Sequence, residues 1–460
     1  MDNQNTASPR LALRLSDVLS ASRPYDTPIA WRSVETLTLS NLRLYVKTLY
    51  RQLRFLPGDR WAVCFEDSYL FTAALLALIY SGKTPVIPGH LRQKQLQEQH
   101  QQGDFDGLLT DLPLQIGAPT LWLSPSSRQS ETANAVLPPW PQDAYVILFT
   151  SGSTGQPKAI RKSIALLEEE SELLARRWGK TLSGTRIAAT VTHQHLYGLT
   201  FRILLPLCLG LPFNARLTEY HEQLHPLCSR PLTLIASPAY LKRLDPTLPT
   251  LSCALIFSAG GPLAFEEAQL VNRCLSTLPH EIYGTSETGV IATRSQRQTT
   301  SSWSPLEGVI VRQQEDGTIS VDSPLFSDDA GETIHDLIEL HPDGFHLLGR
   351  KDRIVKIEEK RLSLTDVEQR LISLDSVLDA AVLPLTQDRR VVLAAAIVLT
   401  ESGEQRKQQI GDSALINELR QSIREWLEPV AIPRRWRIIS AIPINSQSKR
   451  AYGELQELFL

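Results

Sequence analysis

Six residues suited to holding phosphate fall within the eight-residue window SGSTGQPK: Ser151, Gly152, Ser153, Thr154, Gly155 and Lys158. The two glycines allow backbone conformations that a β-carbon forbids, so successive N–H groups can turn toward one anion. The hydroxyls add donors and Lys158 adds positive charge, with Thr150 standing at the mouth of the window. That chemistry suits the triphosphate end of a nucleotide. The common helix-capping NTPase loop is a poor match, because no lysine directly follows the second glycine and no Ser or Thr follows Lys158.

A loop of this kind needs a rigid element on either side. The apolar run YVILF at 145–149 reads as a buried strand entering it, and ALLEEESELLARRWGK at 165–180 reads as a surface helix leaving it. The acidic run EEESE in that helix is expected to be a solvated face. Elsewhere, strand-like runs (WAVCF, TPVIP, RIAATV, TLIAS, ALIFSAG) alternate with segments of helical spacing, the pattern of an α/β protein whose sheets are covered. A strand-rich stretch (TISVDSP, FHLLG) ends near Gly349, and a fresh α/β run (DVEQRLISL, VLDAAVLPL, VVLAAAIVL) follows. The expected division is therefore a large N-terminal domain, residues 1–348, and a small α+β C-terminal domain, residues 349–460.

The loop SGSTGQPK resembles that of the adenylate-forming superfamily, which activates carboxylic acids with Mg·ATP to acyl-adenylates and commonly passes the acyl group to a thiol. The order of further segments along the chain agrees. His195 to Gly198, within THQHLYGLTF, resembles the histidine motif beside the acyl pocket, and LIFSAGGPL at 255–263 resembles the strand and turn lining the adenine and acyl sites, which brings in Gly260 and Gly261. EIYGTSETG at 281–289 resembles the motif that implies Tyr283 and Gly284 at the adenine and Glu287 on Mg²⁺. Asp336 and Arg350 fall where the family contacts ribose, and Asp352 falls at the hinge of a mobile C-terminal domain. AIPINSQSKRAYGEL at 441–455 resembles the segment carrying the catalytic lysine, here Lys449. The implied cofactors are ATP and Mg²⁺, with CoA or a phosphopantetheinyl acyl carrier protein as acceptor.

Each of these residues also has a physical task. A carboxylate attacking a polyphosphate brings like charges together, so the site must supply compensating charge: a cation on Glu287, the loop donors, and two lysines. Lys449 can bridge the incoming carboxylate and the α-phosphate, and Asp336 offers two acceptors to ribose hydroxyls. His195 is assigned to shaping the acyl pocket, with Gly198 and Gly260, and not to catalysis.

The chain departs from the family pattern at several points. KIEEKR places Glu359 where glycine is usual, IHD stands for TGD before the ribose contact, Ser286 replaces threonine, and Ser448 replaces glycine before Lys449. A carboxylate at Glu359 bears on the passage of the thiol arm and on the phosphates of CoA. Leu196 follows His195 where amino-acid-activating relatives carry aspartate, and no acidic residue lies between His195 and Leu207, so an aromatic or aliphatic acid is expected over a free amino acid. Two other readings stay open: an adenylating enzyme with a non-thiol acceptor, and a nucleotide-binding homologue without catalysis.

Composition narrows the classes. A net charge of −3 over 460 residues, without a sustained basic tract, argues against nucleic acid as the main ligand. Cys64, Cys208, Cys228, Cys253 and Cys274 show no CxxC or metal spacing and read as reduced, mostly buried thiols. The most apolar stretch, LFTAALLALIY at 70–80, is well short of the ~20 residues that span a bilayer, and the first residues lack a signal-peptide core. A cytoplasmic location is expected.

Overall fold

The structure, a computed structural model, describes residues 10–20, 23–124, 136–151, 157–299, 301–314, 318–326, 332–334, 336–350, 353–357, 360–387, 390–424, 426–427, 429–445 and 450–460. The chain forms two compact units, Met1–Val311 with Val321–Glu332, and Arg312–Ser320 with Thr333–Leu460. The strands Asp336–His341 and Gly344–Arg350, which precede the expected hinge, thus belong to the second unit.

The first unit is built on two sheets. One has six described strands in the order Thr120–Trp122, Gly107–Thr110, Arg60–Cys64, Thr84–Ile87, Tyr145–Ser151, Pro157–Ser163. Its pairings are parallel except the last, which is antiparallel. Strands covered on both faces need no alternation, and Trp61, Ala62, Val63 and Cys64 are all fully buried. Helix Ser68–Tyr80 is buried at every residue, and Asp67 caps it by accepting the Tyr69 and Leu70 N–H groups at 3.0 Å each. Among the described residues no helix is long and apolar enough to cross a membrane.

The other sheet has nine described strands: Ser304–Pro305, Gly289–Arg294, His280–Thr285, Leu255–Ser258, Leu232–Ala236, Arg186–Ala189, Phe213–Asn214, Pro28–Arg32, Glu35–Thr38. Its middle is parallel and both ends are antiparallel. The expected α/β architecture with covered sheets is therefore observed. Cys64, Cys208, Cys253 and Cys274 are buried, Cys228 is half-buried, and all are free thiols.

One expectation fails in helix Ile164–Leu182. The acidic run is not a solvated face, since Glu170 and Glu172 are 3% and 1% exposed. The carboxylates satisfy backbone donors that have no ladder partner: Glu172 accepts from Leu11 and Ala12 at 3.0 and 2.9 Å, and Glu168 accepts from Leu15 at 2.7 Å. A charged run on a helix gives no sign of this, because the donors arrive from about 150 residues away in the chain.

In the second unit, two hairpins (Asp336–His341 with Gly344–Arg350, Ile354–Ile357 with Lys360–Ser363) precede helix Leu364–Ile372. Strands Val377–Gln387, Arg390–Leu399 and Arg435–Ile438 then form a sheet. Alternation along these strands serves two cores. Val382, Leu393 and Ala395 pack with Val367 and Leu371 of the helix on one face, while Ala381, Leu383 and Ala394 pack with Leu455 on the other.

Candidate active site

The strands Tyr145–Ser151 and Pro157–Ser163 pair antiparallel, with Thr150 opposite Lys158 and Ser151 opposite Pro157. The loop joining them carries Gly152, Ser153, Thr154 and Gly155, which lie outside the described residues. Thr150 is half-buried and Lys158 exposed at the end of the pair. Lys158 Nζ reaches Glu287 Oε1 at 3.1 Å, which joins a strand of the six-stranded sheet to a turn of the nine-stranded one. Two motifs 129 residues apart in sequence thus meet.

Glu287 is presented by a tight turn between His280–Thr285 and Gly289–Arg294. Thr285 N–H donates to Thr288 Oγ1 at 3.0 Å and Thr288 N–H donates to Thr285 Oγ1 at 3.1 Å, closing the turn reciprocally. A β-carbon on Gly284 would lie 2.1 Å from the Gly289 carbonyl oxygen, so only glycine fits there. Burial pushes the Glu287 carboxyl up, but the Lys158 hydrogen bond and charge, with donors of its own turn, outweigh this and hold it below the usual carboxylate range. The result is an ionised oxygen donor, 37% exposed, of the hard type that Mg²⁺ prefers; the residues present fit that ion.

Two residues not found from sequence hold this turn from below. Lys162 is 7% exposed and donates to the Glu287 carbonyl oxygen. Burial lowers its pKa, against the opposing pull of Glu170, Glu287 and Glu332. Glu170 accepts from Val290 N–H and from Thr200 Oγ1, both at 2.8 Å, and so ties the strand leaving the turn to helix Ile164–Leu182 and the π-helical segment Leu199–Leu204. Burial raises the Glu170 carboxyl, opposed by these two donors and by Lys162. A signal for Lys162 did exist: Lys158, Ile160 and Lys162 alternate along one strand and so share a face. None existed for Glu170.

Tyr283 is half-buried, its ring centroid 5.7 Å from that of Trp303. Gly260 and Gly261 are exposed just after strand Leu255–Ser258. Their turn is fixed by Glu281, 1% exposed, which accepts from Leu263 N–H at 2.9 Å and takes a two-pronged 2.9 Å contact from Arg294. One buried carboxylate therefore sets the glycine turn against the strand that bears Tyr283.

The histidine motif divides into two roles. His193 is fully buried; its Nε2 donates to the Phe65 carbonyl at 3.0 Å, which leaves Nδ1 to accept from Ser68 Oγ at 3.0 Å. Burial and then Arg202 drive its pKa well down, so it is a neutral structural group. His195 is half-buried and lies beside Gly89: a β-carbon there would sit 3.5 Å from His195 Cε1 and 2.8 Å from the Phe149 carbonyl oxygen. It thus stands by the strand that feeds the phosphate loop. Gly198 passes under the Thr192 carbonyl, where a β-carbon would come within 2.0 Å.

In the second unit, Asp336 and Arg350 face each other across the hairpin as backbone partners. Asp352, Glu359, Ser448 and Lys449 lie outside the described residues, but the residues after Asp352 and Lys449 are described. Both are arginines, and both grip Glu368: Arg353 directly, and Arg450 at 3.2 Å. Glu368 also accepts from Val382 N–H at 2.7 Å, and Arg450 reaches Asp379 at 2.6 Å. Within this unit, one residue of helix Leu364–Ile372, Glu368, fastens the chain beside the expected hinge to the chain beside the expected catalytic lysine.

The description "AMP-binding enzyme" belongs to a family whose pattern matches residues 20–316, and its C-terminal domain pattern matches 366–449. The chain belongs to this family. It is an adenylate-forming ligase by that membership and by its relatives. The 4-coumarate–CoA ligase of Halorhodospira halophila is 30% identical over 320 residues, 65% of this chain and 73% of that protein. The D-alanine–D-alanyl carrier protein ligase of Staphylococcus epidermidis is 23% identical over 359 residues, 69% and 71% of the two chains. The crystal structure of ATP-bound MatB from Rhodopseudomonas palustris shares the fold, with a TM-score of 0.80 at 18% identity over 98% of this chain and 99% of that one.

Proposed function

We propose that this ligase joins an aromatic or fatty carboxylic acid to ATP, releasing pyrophosphate, and then passes the acyl group from the adenylate to a thiol of CoA or of a phosphopantetheinyl carrier protein. The observation that carries the reading is the 3.1 Å contact of Lys158 with Glu287, which sets an ionised oxygen donor and a movable cation beside the loop expected to hold the phosphates. Mg²⁺ on Glu287 would supply positive charge at the ATP phosphates. Lys158 is 63% exposed, so it can leave Glu287 and turn to a phosphate oxygen when ATP enters. Thr150, Ser151, Ser153, Thr154 and the backbone at Gly152 and Gly155 are the proposed donors to those phosphates. Tyr283, Gly260, Gly261 and Gly284 are assigned to the adenine, Asp336 and Arg350 to the ribose, and His195 with Gly198 and Gly260 to the acyl pocket.

In the chemical step the acid's carboxylate oxygen bonds to the α-phosphorus as the bond to pyrophosphate breaks. Lys449 is proposed to stabilise the charge that shifts between them. In the second step the thiol sulfur bonds to the acyl carbon, AMP leaves, and the thiol proton passes to solvent. The small domain turning about Asp352 is proposed to separate the two steps, and Asp352→Pro should then impair thioester formation while sparing adenylation. Support for an aromatic or fatty acid comes from Leu196 and from the absence of any carboxylate between His195 and Leu207.

The test is acid-dependent ATP–pyrophosphate exchange over benzoic, cinnamic and fatty acids, with Lys449→Ala as control. Exchange with one acid class, lost in the variant, supports adenylation; CoA, a carrier protein and an amine are then compared as acceptors. Mg·ATP binding without exchange by any acid would sink the proposal.

A further inference from the structure

The hairpin Asp336–His341 with Gly344–Arg350 presents a second cluster, made of residues other than those assigned to the ribose. Glu339 and His341 are two apart on one strand, and His346 is the direct backbone partner of Glu339 on the other, so all three side chains project from the same face. The opposite face is anchored by Phe345, fully buried, and Ile338, 8% exposed, which fixes the hairpin and hence the directions of the three side chains. Glu339 Oε2 lies 3.4 Å from His341 Nε2 and 4.0 Å from His346 Nδ1, and the two imidazole centroids are 4.4 Å apart. One donor atom from each residue falls within 4.8 Å of the others.

These spacings are those of a coordination site before it closes. Donors about 2.0–2.1 Å from a tetrahedral Zn²⁺ stand roughly 3.3 Å from one another, so the Glu339–His341 edge needs almost no movement, the Glu339–His346 edge about 0.7 Å, and the edge between the two imidazoles at most about 1.5 Å. Two imidazoles and a carboxylate are a ligand set for a borderline first-row ion and a poor one for Mg²⁺, which favours oxygen donors. We infer that Glu339, His341 and His346 bind a divalent first-row transition metal, Zn²⁺ foremost, at the turn end of this hairpin. Three protein donors leave the remaining coordination position to water, and the exposure of the face keeps it open to solvent. The bound ion staples the two strands whose far ends carry Asp336 and Arg350. The alternative account of the cluster is a surface histidine–carboxylate contact with no affinity for metal.

The experiment is a Zn²⁺ titration of the full chain, free of any polyhistidine tag and stripped by chelator, in competition with a chromophoric indicator. Expected is one equivalent bound at micromolar concentration, weakened at least about tenfold by His341→Ala or His346→Ala, less by Glu339→Gln, and unaltered by His225→Ala at an exposed histidine elsewhere. Equal affinity in the His341→Ala/His346→Ala double variant and the parent chain, or no equivalent at micromolar Zn²⁺, would overturn it. Should a variant unfold, Co²⁺ added to the parent chain decides: intense visible bands of a four- or five-coordinate ion support the site, and the weak spectrum of the hexaaqua ion refutes it.

Discussion

Glu287 in the first unit and Glu368 in the second are both gripped by basic side chains, yet they are built for opposite ends. The Glu287 carboxylate is 37% exposed and holds one exposed lysine, while its position is secured through its backbone by Lys162 and the Thr285–Thr288 turn. Glu368 is 9% exposed and spends its oxygens on Arg353, Arg450 and the Val382 N–H. The first arrangement leaves a carboxylate free to change partner at little cost, because an exposed ion pair contributes under about 1 kcal/mol. The second commits the carboxylate to structure, since removing one member of a buried cluster strands the others. Glu287 is thus positioned largely through its main chain, and Glu368 through its side chain.

The comparison is broken most severely at the buried end. Glu368→Ala should destabilise the second unit by about 3 kcal/mol, read as lost hydrogen-exchange protection in residues 364–399, while protection in the first unit is retained. Glu287→Gln reverses the pattern: acid-dependent exchange should fall on the order of a hundredfold with thermal unfolding shifted very little. Between them lies Glu170→Ala, which leaves the Val290 N–H and the Thr200 hydroxyl buried without an acceptor. It should cost about 1–3 kcal/mol in urea unfolding and raise the KM for Mg·ATP by displacing the strand behind Glu287. Were Glu170→Ala to alter stability alone, Glu287 would owe its position to its own turn and to Lys162.

The smallest effect sharpens the exposed end. The Glu287 pKa is depressed in the folded chain, so its contribution to stability is fully present above the ordinary value of 4.5 and is lost as pH falls through the folded value. Lys158→Ala should shrink that acid-side loss, measured as the difference in unfolding midpoint above and well below pH 4.5, by lowering stability near pH 7 by under about 1 kcal/mol while leaving stability at low pH unchanged. An acid-side loss as large in Lys158→Ala as in the parent chain would mean that the turn donors, and not the lysine, hold the carboxyl down.

Sequence order alone determined the family and the α/β class, and it marked Lys158, Glu287 and Tyr283 as candidates for a nucleotide site, because each is a local signal: a run of loop chemistry, a strand period, a short motif. The buried helix Ser68–Tyr80 was equally legible, being apolar on every side. Tertiary structure alone decided which carboxylates would be buried. Glu170 and Glu172 sit in a run that looks like a solvated surface, and Glu281 and Glu368 have nothing nearby in sequence to mark them. Their partners, Val290, Ala12, Arg294 and Arg450, come from other strands and segments, at separations of up to 160 residues. A charge can be buried only where donors converge on it from several elements, and that convergence is a property of packing which no local pattern encodes.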